Sequence, residues 1–289
     1  MNNERRKSLK QIILLLFGLL LLISCGQKKR ADVALTDSAS NDSALYLSDD
    51  SVDLVETPNS ELAEVDRSFD DFLYSFATND SMQRSRVKFP LPYYDGKNRY
   101  KIEARFWGHD HLFSQQTYYT QLYDSEKDME IEKDTSIFAI KVEWIFMKER
   151  TAKIYAFQRE KSKWMLESIS LLPLKKASGE DFIEFFQKFS NDSVFQMQRL
   201  HQPLAFVTID PDDEFHILNT TLEPGQWLAF KPELPLNRLS NIDYGQPDNL
   251  NSSIKILALK GVGNGLCNVL YFRKYGGKWK LYKFEDTSV

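Results

Sequence analysis

Only a few residues have types and spacing that could do chemistry. His109-Asp110-His111 sets two imidazoles at i and i+2, a pair that shares one face of an extended segment and could hold zinc. No third ligand is clear beside them, and a polar loop accounts for the same residues. Asp210-Pro211-Asp212-Asp213-Glu214 gathers the oxygens that calcium prefers, yet it lacks the glycine and spacing of an EF-hand and reads as a solvated turn. Gly261-Val262-Gly263-Asn264-Gly265 lacks the spacing of a nucleotide loop and joins two strand-like runs, so it predicts a hairpin. Cys267 has His201 or His216 as conceivable bases but no nucleophile motif; between Leu266 and Val269 it reads as a small core residue. Arg86 and Arg199 recur at matching points and offer anion binding, although hydrogen bonds at a helix C-terminus explain the recurrence more cheaply. His109, His111, Arg86 and Arg199 are therefore the pocket candidates. No catalytic set, metal site or cofactor is expected.

Two helices must position these residues. Phe69, Phe72, Leu73 and Phe76 fall at i, i+3, i+4 and i+7, and Phe182, Phe185, Phe186 and Phe189 repeat the pattern, which predicts two amphipathic helices with matching apolar faces. Ser68 with Asp71, and Ser178 with Asp181, fit capping boxes at their starts. Asn79-Asp80-Ser81 and Asn191-Asp192-Ser193 then stop each helix and can cap a second short one. The text continues in parallel, with Arg86-Val87-Lys88-Phe89-Pro90-Leu91 against Arg199-Leu200-His201-Gln202-Pro203-Leu204. Both halves close alike, on Lys163-Trp164-Met165-Leu166 and Lys278-Trp279-Lys280-Leu281. Matches at both ends indicate a duplication.

Between those ends the pattern is that of strands. Ile140, Val142, Trp144 and Phe146 alternate with Lys141, Glu143 and Ile145, and Ile254 to Leu259 begins the equivalent run. Gly276-Gly277 supplies a second tight turn. A helix laid across consecutive antiparallel strands is an α+β architecture. Each half, of roughly 105 residues, is long enough to bury its own core.

The N-terminus carries different information. Arg5, Arg6, Lys7 and Lys10 precede an apolar run from Ile12 to Ile23, too short to span a bilayer, which needs roughly 20 apolar residues. The run ends in Leu22-Ile23-Ser24-Cys25, which resembles the bacterial lipobox, with cleavage between Ser24 and Cys25. That resemblance implies a diacylglyceryl thioether on Cys25 and an acylated amine, and two or more chains anchor stably. Gly26 in place of Asp implies the outer membrane, and Lys28-Lys29-Arg30 in place of acids implies that the protein faces the periplasm. From Ala31 to Asp66 there are ten acids and no Lys or Arg, a composition that predicts a disordered tether with a reach of about 35 Å.

Charge excludes one class of partner. Setting aside seven basic residues (Arg5, Arg6, Lys7, Lys10, Lys28, Lys29, Arg30) and eleven acids (Glu4 and the ten of the tether) from totals of 37 and 41 leaves thirty of each. A neutral body offers no field for phosphates, so nucleic acid is not an expected partner.

The helix, the Arg-Val/Leu-x-x-Pro-Leu segment and the meander ending in Lys-Trp-x-Leu resemble tandem nuclear transport factor 2-like (NTF2-like, or cystatin-like) domains. With the lipobox, the chain resembles Bacteroidetes lipoproteins of domain of unknown function 4348. The resemblance implies an α+β fold of two tandem domains, each a helix packed on a curved antiparallel sheet. It divides the chain into a signal peptide (1–24), a lipidated cysteine and tether (25–66), a first domain (67–175) and a second domain (176–289). It implies an envelope location but no activity, because this fold carries enzymes, ligand binders and scaffolds alike. The expected function is a non-enzymatic module, held to the membrane by its lipid, that binds an envelope protein or a small ligand. The alternative is a small-molecule enzyme whose general base is an acid or histidine near Trp107 to His111.

Overall fold

The computed structural model describes residues 65–289. The signal peptide, Cys25 and nearly all of the tether lie outside the described residues. Helices α1 (Phe69–Thr78) and α2 (Asp80–Ser85) lead into β1 (Leu91–Asp95), β2 (Asn98–Ile102) and β3 (Tyr118–Tyr123). A 3-10 segment, Glu126–Lys133, connects to β4 (Ala139–Phe146), β5 (Thr151–Glu160) and β6 (Lys163–Pro173). The second half follows with α3 (Phe182–Asn191), α4 (Ser193–Gln198), β7 (Leu200–Asp210), β8 (Asp213–Leu222) and the short α5 (Trp227–Phe230). It ends with β9 (Arg238–Asp243), β10 (Ile254–Gly261), β11 (Cys267–Tyr275) and β12 (Lys278–Asp286). No helix of the described residues is long and apolar enough to cross a membrane.

The helices form where the apolar period places them, and all four aromatic or leucine positions of each face are buried. Ser68 caps α1 by accepting from the Asp71 N–H at 3.1 Å. The second cap differs from the sequence expectation. Asp181, not Ser178, accepts from the Glu184 N–H at 3.1 Å, because its carboxylate is also fixed by Arg150 at 2.9 Å. Asn79 and Asp192 cap α2 and α4 in the same manner.

All twelve strands of the described residues join one sheet, in the order β2-β1-β6-β5-β4-β9-β3-β10-β11-β12-β7-β8. The order is a palindrome under the exchange of each strand with the one six places later. One consequence is topological. The third strand of each half lies in the other half's row: β9 pairs antiparallel with β4, and β3 pairs antiparallel with β10. They meet in parallel, Thr120 opposite Asn241, where the Asn241 carboxamide accepts the Leu122 N–H at 2.9 Å and donates to Glu143 at 3.0 Å. The sheet is accordingly mixed, where the sequence predicted antiparallel pairing throughout. β1 and β7 also run parallel to the last strands β6 and β12.

Alternation along β4 distributes side chains to two cores. Ile140, Val142 and Trp144 join the core under α1, while Ile145 and Met147 join the core under α3. Successive strand residues point to opposite faces, so the two helices cover opposite faces of the sheet. Trp164 and Trp279 are 3% and 1% exposed, each edge-on to the first aromatic of its helix: Phe69 at 5.0 Å and Phe182 at 5.2 Å between ring centroids. Phe72 also meets Trp164, at 6.5 Å between ring centroids.

Candidate functional site

The sequence-derived candidates separate into structural and surface roles. Arg86 is buried, and its guanidinium binds both Asp66 oxygens, at 3.0 and 2.7 Å, and the Trp164 carbonyl at 3.3 Å. Arg199 makes the same set with Glu180, at 3.2 and 2.8 Å, and the Trp279 carbonyl at 3.1 Å. Each arginine thus ties the segment before a helix to the last strand of its half, a different role from capping a helix end. Asp66, grouped with the tether on charge, belongs to this folded body. His109 and His111 lie in a loop, their ring centroids 4.4 Å apart and their planes tilted by 53°. Among the described residues, no three His, Cys, Asp or Glu side chains are grouped to hold a metal. The loop is fastened by Gln83, whose amide donates to the Phe76 and Asp110 carbonyls and whose oxygen accepts the Trp107 indole N–H at 3.1 Å. Gln196, the Phe189 carbonyl and Trp227 repeat that clamp in the second half. Cys267 is half-buried at the start of β11, not in the core, because the strand begins there beside the chain's last residues.

A constellation that the sequence left unmarked lies at the N-terminus of α1. A cavity of about 90 Å³ opens between the first turn of α1, the segment 132–137, Arg159 of β5, Trp164 of β6 and Tyr244 just beyond β9. Tyr244 therefore reaches the first half from the exchanged strand. Its hydroxyl donates to Asp70 at 2.8 Å. Burial of the inward-facing oxygen raises the Asp70 carboxyl above the ordinary range, the Tyr244 bond opposing; an exposed flank tempers this. Tyr119 and Tyr123 are held un-ionised by burial and by the neighbouring Asp70 and Glu132. A chain of bonds continues from Tyr123 to Gln121 at 2.7 Å and on to Glu132 at 3.2 Å, which also pairs with Lys260.

Two residues that line the cavity each keep a donor without an acceptor. The Trp164 indole N–H and the Arg159 Nε–H are buried and unpaired, although the rest of the Arg159 guanidinium donates to the Asp66 carbonyl at 2.7 Å and the Thr135 carbonyl at 3.4 Å.

Residues 48–286 match the family model described as domain of unknown function (DUF4348). The chain belongs to that family. A crystal structure of an NTF2-like protein from Bacteroides fragilis NCTC 9343 is 57% identical to it, with a TM-score of 0.76, over 78% of this chain and 98% of that one. No curated protein matches.

The two halves of this DUF4348 chain differ at the site. In the second half the Trp279 indole N–H is satisfied by the Glu180 carbonyl at 3.0 Å. The register places Lys255 and Asp124 where the first half has Ile140 and Tyr244, and these two form an ion pair at 2.7 Å. In the first half the equivalent carbonyl, of Asp66, is taken by Arg159, which leaves the Trp164 N–H over. A wider recess of about 700 Å³ lies at the starts of β3 and β9, with the buried, unpaired Gln116 Oε1 and with Tyr118, whose hydroxyl burial pushes up to about 12. The repeat marked Trp164 as core; only the mismatch between Arg159 and Lys274 hinted that its surroundings differ from those of Trp279.

Proposed function

We propose that this protein is a non-enzymatic ligand-binding module of the cell envelope, built from a duplicated NTF2-like unit and held to a membrane by lipid on Cys25. The observation that carries the binding role is the cavity at α1, lined by Trp164 and Arg159, each of which keeps a buried N–H without an acceptor, whereas the Trp279 indole of the other half is bonded. The palindromic strand order and the paired Gln-Trp and Arg-acid contacts support duplication, with third strands exchanged between the copies. The lipobox-like Leu22-Ile23-Ser24-Cys25 supports anchoring, and the residues after it support an outer-membrane protein facing the periplasm.

Binding is tested by a small-molecule screen read on the Trp164 indole resonance in nitrogen-15 NMR, against Trp279 as internal reference. Saturable, selective movement of Trp164 is expected; no movement with any compound would remove the binding role. Anchoring is tested separately with a clickable fatty acid, whose label Cys25→Ser should lose. Equal labelling of both proteins would contradict it.

One observation favours an enzymatic alternative: the Asp70 carboxyl, with its raised pKa and its Tyr244 bond, sits at the cavity edge, where it could exchange a proton. Turnover of any bound compound, abolished by Asp70→Asn with binding retained, would establish that reading instead.

A further inference from the structure

We infer that the edge strand β8 is a self-association surface, on which β8 of a second copy adds antiparallel about a two-fold axis at Asn219. β2 and β8 end the sheet, and the two edges differ. β2 is five residues long and carries Arg99 and Lys101, a length and charge that discourage another strand from adding. β8 is ten residues long and contains no Lys, Arg, Pro or Gly. Among the described residues its ladder is to β7 alone, so its outward row of N–H and C=O groups faces away from the sheet, and residues 216–221 are all exposed. Ile217 and Leu218 are 45% and 38% exposed on opposite faces of that edge. Exposed apolar side chains on both faces of an unguarded edge fit an added strand.

Charge and register name the second copy as the occupant. Residues 216–222 hold no Lys, Arg, Asp or Glu, whereas Asp210, Asp212, Asp213 and Glu214 precede them and Glu223 follows. A parallel copy would set these acids beside their counterparts, like charges on neighbouring strands. An antiparallel copy carries them to opposite ends. A two-fold axis normal to the sheet puts one residue opposite itself, so few registers exist. Centring on Leu218 would set Asp213 against Glu223, and centring on Thr220 would bring Pro224, which has no N–H, opposite His216. Centring on Ile217 draws in residues 212 and 213, where the β7–β8 register shifts. Asn219 centres the regular, chargeless stretch: Leu218 meets Thr220, Ile217 meets Thr221, and the four preceding acids fall past the partner strand's end at Leu222. Phe230, 48% exposed, packs on Phe206, whose ladder partner is Thr220, so its ring lies on the face that the incoming Leu218 shares. Attachment of many copies to one membrane, as proposed above, raises their effective concentration, which suits a small and reversible contact.

The experiment is analytical ultracentrifugation of the chain from residue 25 onward, with Cys25 and Cys267 replaced by serine. A reversible monomer–dimer equilibrium is expected. Asn219→Lys should abolish it, because two ammonium groups would meet on the axis, and an unchanged circular dichroism spectrum checks that the variant is folded. Mild oxidation should join Asn219→Cys into a covalent dimer and leave Ile217→Cys, about 13 Å along the strands from its copy, largely monomeric. A monomer at every concentration, a dimer that a folded Asn219→Lys protein retains, or cross-linking through residue 217 as readily as through 219 would each overturn the proposal. A monomer whose outward β8 amides resist hydrogen exchange would do so too, by showing that another segment covers the edge.

Discussion

At the scale of residues, buried charge is the most consequential feature. Arg86 and Asp66 are each 4% exposed at the side chain, so removing one partner strands the other away from water. Arg86→Met is expected to cost about 3–5 kcal/mol in denaturant unfolding, and pairing it with Asp66→Leu should recover much of that loss. An additive double variant would show that the two side chains do not depend on each other. Glu143 gives a pH signature. Burial lifts its carboxyl to about 6 from an ordinary 4.5, the Asn241 bond opposing, so the folded protein holds that proton more tightly than the unfolded chain does. The resulting stabilisation is complete below about pH 4.5 and is lost as pH rises through 6. Glu143→Gln keeps an acceptor for Asn241 and should gain on the wild type by on the order of 1–2 kcal/mol across that window. Thermal melts at pH 4, 5, 6 and 7 check this; a constant difference between the two proteins would refute it.

Helices were legible to their caps because their information is local. A 3.6-residue apolar period and a short polar side chain ahead of it fix both the buried face and the start, and only competition for Asp181 from Arg150 moved one cap. Ser68→Ala should therefore cost about 1 kcal/mol, while Asp181→Ala should cost more, since it also releases Arg150. The clamps at the other helix ends were not legible. Gln83 and Gln196 look like surface residues of two short helices, yet both are buried, because each faces an indole far along the chain. Trp227→Phe keeps the ring and removes the donor, leaving the Gln196 oxygen unmatched. A loss of about 1–3 kcal/mol is expected in chemical denaturation, and an unchanged midpoint would count against the clamp.

The whole molecule depends on which strands pair, and here the sequence ran out. β3 and β9 alternate in the same way whichever row they join, so nothing local distinguishes a strand kept within its half from one exchanged. The same ambiguity hid the site: Tyr244 follows β9 by sequence but completes a cavity against α1 through the exchange. Halves long enough to bury their own cores are, in this arrangement, each completed by the other's strand. The most direct measurement is disulfide trapping in a chain whose natural cysteines, Cys25 and Cys267, are replaced by serine. Lys141 and Asp243 face each other across β4 and β9, with side chains 52% and 19% exposed. In an unexchanged sheet the partner of Lys141 would instead be Tyr123, as Ile256 is its partner here. Exchange predicts that K141C/D243C oxidises readily to an intramolecular cross-link in the native protein while K141C/Y123C does not; the reverse pattern would contradict the exchange.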